Sequence, residues 1–500
     1  MSAWRVLAAL ILALACAGCA AVGPDYARPE LAAPEGFSEA GDASAVPPAL
    51  ELAAWWRGFG DPELDSLMER AARSNLDLEQ ARARVAQARA TLRSARGGFW
   101  PTLDASGEVD RSKDSKNAVE GATYSSGKTS TLYKAGFDAS WELDLFGRTR
   151  RSVESAEASL EAGREDLHNT LLTLLGDVAT SYVSLRSNQS RLAIARATLE
   201  SQSQTVEVTR ARWRAGLVSR LDVTQAESQR AGTEADIPGL ELEIKQAMHR
   251  LAILLGQAPG ALKSELAAVR PLPEPGKAVL ATGLPAQLLS RRPDLRASER
   301  RLAAASADIG VATAGLYPTF DLTLGLGLQS AGNNTFVSNA SRYWSIVPGV
   351  TIPIFSGGTT LAAIEQKRAI YDEDLAAYRA AFLTALEDVE NALASYYAQT
   401  ARRVSLAEAA RTAEESVSLA RERYAKGLVN FLDVLSAQDT RYSAQDSLDQ
   451  CRADQLTALV ALYKALGGGW AAESVVQEED GGAAGSSPAP RAEAVAAPNP

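Results

Sequence analysis

The sequence predicts an α+β membrane protein with an internal structural duplication. Three observations carry this: a match of the 500-residue chain to itself, two pairs of strands of about ten residues with one apolar face, and very long helical tracts. NLDLEQARARVAQARATLRSARGGFWPTLD (75–104) aligns without a gap with RPDLRASERRLAAASADIGVATAGLYPTFD (292–321), so that Trp100-Pro101 corresponds to Tyr317-Pro318 at an offset of 217. Downstream, RWRAGLVSRLDV (212–223) matches RYAKGLVNFLDV (423–434) at an offset of 211, which persists from Asp177 against Asp388 to Gly256 against Gly467. Self-similarity of this kind marks a repeated supersecondary unit. The two copies read as 62–257 and 285–469, joined by a linker (258–284) that includes the Pro-rich APGALKSELAAVRPLPEPG.

Each copy repeats one order of elements. An Ala-, Arg-, Glu- and Leu-rich helical stretch (about 62–97 and 285–315) comes first and stops before a proline. The period then changes from helical to two. In FDLTLGLGLQ (320–329), Phe320, Leu322, Leu324, Leu326 and Leu328 share one face, and Asp, Thr, Gly and Gln share the other. YKAGFDASWELDLF (133–146) aligns Tyr133, Phe137 and Trp141 with alanines and leucines, and YWSIVPGVTIPIF (343–355) aligns Trp344, Ile346, Val350, Ile352 and Ile354. The hairpins, 101–146 and 318–355, carry long polar loops. Strands of this length, apolar on one face and small or polar on the other, read as transmembrane β-barrel strands whose second face meets water. A soluble sandwich of two hairpins is the alternative. After each hairpin a helical tract (150–213, 358–425) breaks at Gly216 or Gly427, and a second helix follows. Some 60 helical residues span roughly 90 Å, the length of a rod. Leu160, Leu167, Leu171, Leu174 and Val178 give the tract a coiled-coil-like seam.

Four strands cannot close a barrel, and lipid does not tolerate unpaired strand edges. Two copies supply eight strands and three supply twelve, of which only the larger leaves a generous aqueous hole. The chain is therefore expected to oligomerise into a tube.

The N-terminus has the layout of a secretory signal (1–18): Arg5, an apolar run too short to span a bilayer, then small residues. Ala17-Gly18-Cys19 resembles a lipobox, which makes Cys19 the expected site of diacylglycerol attachment. An ordinary signal cleaved near Ala20 or Ala21 is the alternative. Residues 19–61 then form a lipidated N-terminal segment, and 470–500, rich in Ala, Pro, Gly and Ser, reads as a disordered tail.

Composition excludes several classes of function. With Cys16 removed and Cys19 acylated, only Cys451 remains, and the chain has two histidines, so neither a disulfide framework nor a metal site is expected. A net charge of −10 argues against nucleic acid as a partner. There is no catalytic constellation and no cofactor motif. Function is expected in a pore and its gate.

VGPDYARP (22–29), WWRGFGDPELDSLMERAARSNLDL (55–78), FWPTLDASG (99–107), WELDLFGRTRR (141–151), RRPDLRASERRLAAASADIGVATAGLYPTFDL (291–322) and GVTIPIFSGG (349–358) are similar to the TolC-like outer-membrane factor family. More narrowly, they resemble its lipoprotein branch serving resistance-nodulation-division efflux pumps. The resemblance implies a homotrimer with a 12-stranded barrel in the outer membrane, continued by a long periplasmic α-helical barrel. It also implies docking with a periplasmic adaptor and an inner-membrane transporter of the resistance-nodulation-division class. The function implied is the passive exit duct of a tripartite efflux pump. A type I protein-secretion duct and a non-conducting coiled-coil scaffold lipoprotein are the alternatives. The transported substrates are not legible.

Gly216 and Gly427 mark the expected tips of the helical hairpins, and each is followed by Leu-Asp-Val. In a threefold assembly an inward Asp becomes a ring of three carboxylates. By resemblance, Asp433 falls where some members place such a ring at the closed periplasmic entrance. Tyr424 matches a Tyr that bonds the inner hairpin to its neighbour, and Asp222 is the counterpart of Asp433 on the outer hairpin. The family's second ring Asp is Ser436 here and an expected basic residue is Val429, with Arg220 a candidate substitute charge. Alternatively, both aspartates are helix N-terminal charges. Tyr133, Trp141, Tyr343 and Trp344 are candidate membrane-interface aromatics.

Overall fold

The computed structural model describes residues 21–39, 53–113, 115, 129–274, 285–287 and 291–469. The signal, Cys19, residues 40–52 of the N-terminal segment, most of the first hairpin loop, residues 275–284 of the linker and the tail lie outside the described residues.

The duplication returns as matched elements. Copy one contains α1 (Pro62–Ser74), α2 (Leu76–Gly97), β1 (Thr102–Lys113), β2 (Thr129–Glu142), α3 (Arg148–Arg214) and α4 (Arg220–Leu254). Copy two contains α5 (Pro293–Ala314), β3 (Thr319–Ser330), β4 (Arg342–Thr351), α6 (Thr359–Ala425) and α7 (Phe431–Ala465). The long helices α3 and α6 have 67 residues each, roughly 100 Å of rod. The return helices α4 and α7 have 35 residues each. Among the described residues no helix is long and apolar enough to cross a membrane.

The first helical stretch is not continuous. It breaks at Asn75, whose extended backbone separates α1 from α2. The Asn75 side chain accepts from the Leu78 N–H, capping the start of α2, and donates to the Leu254 carbonyl at the end of α4. The segment expected to be a linker is also packed where it begins. Leu262 and Leu266 are fully buried, and Gln189 and Arg186 donate to the carbonyls of Leu266 and Ala268. Two leucines four apart on one apolar face outweigh the surrounding turn residues.

The four strands form one antiparallel sheet in the order β1-β2-β3-β4. The register opposes Asp104 to Asp138, Phe137 to Leu326 and Leu326 to Trp344, so that Leu103, Phe137, Leu326 and Trp344, one from each strand, share one face.

The compact units of the chain are not its two repeats. One unit combines the described residues up to Ala33 with Glu79–Leu167 and Pro293–Thr384, and so contains the sheet. The other combines Pro34–Leu78, His168–Arg292 and the described residues from Ala385 onward, and so contains both helical hairpins. Each unit takes corresponding pieces from both copies, because a single copy cannot bury its own apolar faces.

Candidate functional site

The sheet has the two faces a membrane channel wall requires. Leu103 is 69% exposed, Phe137 56%, Leu326 61% and Trp344 74% on one face, an apolar surface too broad for water. On the other, Asp104 opposes Asp138 and Glu142 opposes Asp321, and the Ser106 hydroxyl donates to Asp138 at 2.9 Å. Directly opposed carboxylates repel, so this arrangement suits a hydrated face.

Three of the four candidate interface aromatics share the apolar face. Tyr133 and Trp141 have the parity of Phe137 and lie towards opposite ends of β2, about 27 Å apart at 3.4 Å per residue. The Trp141 indole N–H donates to the Phe99 carbonyl at 3.0 Å. Tyr343 does not belong with them, because neighbours in a strand point to opposite faces and Trp344 occupies the apolar one. The Tyr343 side chain lies over Gly136 and Gly327 on the polar face: a Cβ at Gly327 would come within 2.9 Å of its ring, and one at Gly136 within 3.0 Å of its hydroxyl. Lys134 caps that ring at 5.6 Å.

In the same unit, VGPDY is a docked segment. The Val22 N–H donates to the Phe146 carbonyl at 3.0 Å. Arg151, almost completely buried, donates to the carbonyls of Val22 and Gly23 and to the Asp25 carboxylate at 2.7 Å. Gly23 has φ +94° and backs directly onto Gly310. The Tyr26 hydroxyl donates to Glu299 at 2.5 Å, and Arg300 lies over the Tyr26 ring. Burial alone would raise the Glu299 carboxyl, but hydrogen bonds from Arg300 and Tyr26 outweigh it and hold the group below its ordinary value. A depressed carboxylate stabilises the docked state above its ordinary value of about 4.3 and loses that contribution as pH falls through the folded value. Hydrogen exchange of residues 21–28 is therefore expected to accelerate below about pH 4 relative to neutral pH, beyond the intrinsic pH dependence of exchange. A corrected rate independent of pH would count against this contribution. Sequence reasoning picked out VGPDY only through resemblance, since partners more than a hundred residues away leave no local pattern.

At the hairpin tips, in the other unit, Gly216 and Gly427 both have φ +73°. The N–H of Leu217 bonds to the Arg212 carbonyl and that of Leu428 to the Arg423 carbonyl, closing Schellman motifs that end α3 and α6. Asp222 and Asp433 fill equivalent capping boxes: each N–H donates to the side chain of Ser219 or Asn430, and each carboxylate accepts the N–H of that residue. Asp433 is exposed and Asp222 half-buried. Arg220 does not reach Asp433; its guanidinium lies over the Trp213 ring at 5.4 Å. Tyr424 packs on Phe431 with Arg212 over its ring at 4.6 Å. The bond that the resemblance implied for Tyr424 is not made within the chain: its hydroxyl is buried without a partner, and Asp222 is engaged by Ser219.

A sheet with a lipid-type face and a hydrated face, on a chain with paired helices of such length, defines a wall segment of an outer-membrane channel. The chain belongs to the outer membrane efflux protein family, whose model matches residues 67–257 and 284–468. It is 34% identical over 453 residues to nodulation protein T of Rhizobium leguminosarum bv. trifolii, covering 91% of this chain and 95% of that protein. It is 36% identical over 430 residues to the pyoverdine export outer membrane protein OpmQ of Pseudomonas putida, covering 85% and 90%. Among solved structures it is similar to the outer-membrane channel OprN, with a TM-score of 0.84 and 37% identity over 90% of this chain and 99% of that one. The open-state MtrE outer membrane channel of Neisseria gonorrhoeae aligns with a TM-score of 0.77 and 28% identity, covering 90% and 99%. Its family is one of efflux ducts, and the chain is not an enzyme.

Proposed function

We propose that this chain is the exit duct of a tripartite efflux pump, working as a lipid-anchored homotrimer. The observation that carries this reading is the four-stranded sheet with one lipid-type and one hydrated face, whose outer strands β1 and β4 each have a partner on one side only among the described residues. Pairing β4 of one protomer with β1 of the next closes a 12-stranded barrel and removes every edge. The helical hairpins then gather into a periplasmic barrel. Their tips present Gly216 and Gly427 to a periplasmic adaptor, which links the duct to an inner-membrane resistance-nodulation-division transporter. The duct performs no energy coupling. Tyr133, Trp141 and Trp344 act as the membrane-interface aromatics.

Cys19 carries the lipid. The Cys19→Ala variant is expected to lower trimer yield without closing the trimers that do form, as assayed by native electrophoresis and bilayer conductance. Normal trimers without conductance would refute this division of labour.

Asp433 forms the carboxylate ring at the entrance, using its exposed position, while its capping bonds hold the carboxylate at the first turn of α7. Wild-type trimers in planar bilayers should show cation-selective conductance, and Asp433→Ala should weaken the selectivity and widen opening. If selectivity and opening both stay as in the wild type, Asp433 is only a cap.

A further inference from the structure

The two helical hairpins are copies, yet they are secured differently. In the first, Arg210 at the end of α3 pairs with Glu227 of α4 at 2.5 and 2.9 Å, so the two helices of that hairpin hold each other. At the offset of 211 the counterparts are Arg421 and Gln438. Gln438 has no charge to hold Arg421, and neither side chain bonds within its own hairpin. The Arg421 guanidinium donates to the Ser201 hydroxyl and the Gln438 amide donates to the Thr205 hydroxyl at 3.2 Å, both on α3. The tip contacts repeat the pattern: Trp213 meets Arg220 of its own hairpin, whereas the counterpart Tyr424 also receives Arg212 from α3.

The seam that these contacts close is unevenly satisfied. Towards the tip, the side-chain carbonyl oxygens of Gln202, Gln229 and Gln438 and the hydroxyl of Tyr424 are buried without partners, and the Gln229 amide donates to the Leu435 carbonyl at 3.1 Å. Further from the tip the Arg441 Nε alone among the neighbouring described seam atoms lacks a partner, while Arg191 forms two bonds to Asp446, Ser190 bonds Asp449, and Tyr442 bonds Asp236. Buried polar atoms without partners penalise the closed state and regain water when it parts, so the tip end opens more readily than the other end.

We infer that Gln438, standing where the other repeat has Glu227, is the positioning residue that latches the second helical hairpin onto α3, by leaving Arg421 free for Ser201 and itself bonding Thr205. The latch lets go from the tip while the Arg191–Asp446 end acts as the hinge. This rests on the exit-duct reading and adds what holds its entrance shut.

The test is single-channel recording from purified full-length trimers in planar bilayers, with native electrophoresis to confirm assembly. Gln438→Glu should capture Arg421 as Glu227 captures Arg210, and raise the open fraction by about fivefold or more, the factor expected from one lost hydrogen bond. Thr205→Val removes the acceptor without adding charge and should raise the open fraction in the same direction. It alone decides if Gln438→Glu does not assemble. Assembled trimers of either variant that gate like the wild type overturn the latch and leave the duct reading standing. If neither the wild type nor any variant conducts, the duct reading falls and takes the latch with it.

Discussion

Arg186→Ala is expected to destabilise the chain by about 3–5 kcal/mol, the usual cost of stripping one partner from a buried ion pair. Arg186 is fully buried in the middle of α3. Its guanidinium donates to Glu63 of α1, to Gln189 at 2.6 Å and to the Ala268 carbonyl at 2.7 Å, and it lies over the Tyr182 ring at 4.9 Å. Tyr182 in turn donates to Asp61, the residue that caps α1, at 2.5 Å. One side chain therefore holds together α1, α3 and the packed segment after α4. Removing it leaves Glu63 buried with the half-exposed Arg270 at 3.2 Å and the Tyr182 hydroxyl at 3.5 Å, which places the loss towards the lower end of the range. Urea unfolding of the detergent-solubilised protein should show the drop, and a change below about 1 kcal/mol would contradict it. Combining Arg186→Met with Glu63→Leu should recover most of the loss, because a well-packed apolar pair avoids the desolvation that the ion pair must overcome.

The second large effect concerns the N-terminal segment. Gly23→Val places a Cβ 2.4 Å from the Gly310 Cα, a backbone atom that cannot rotate away, on a residue at φ +94°. The left-handed backbone alone costs a β-branched residue about 1–2 kcal/mol. The clash adds to this cost, and together they should raise the undocked population by about tenfold or more. Chymotrypsin cleavage after Tyr26 should accelerate accordingly under native conditions. A wild-type cleavage rate would show that Gly310 yields and that the docking tolerates a side chain. Asp25→Asn keeps the backbone fit and loses only the charge, so its acceleration should be about tenfold.

How much of this was legible depends on the range of the interaction. The alternation in FDLTLGLGLQ identified the apolar face of β3, and the same period places Tyr343 and Trp344 on opposite faces, which naming both as interface aromatics overlooked. The tip glycines stood out because a left-handed residue between two helical patterns has a local signature. Asp222 and Asp433 were equally visible, but their bonds to Ser219 and Asn430 turn the positions first read as a gate into helix caps as well.

The sequence by itself determined the duplication, the strand faces and the length of the helices, because each follows from period or spacing. Only the tertiary structure decided that α1 and α2 part at Asn75, that Leu262 and Leu266 anchor the start of the expected linker, and that VGPDY docks against Arg151 and Gly310. It also decided that Arg421 and Gln438 turn away from each other, unlike Arg210 and Glu227. These outcomes rest on partners far along the chain. Such contacts are selected by packing and by the satisfaction of buried polar groups, and neither leaves a repeating mark on the sequence.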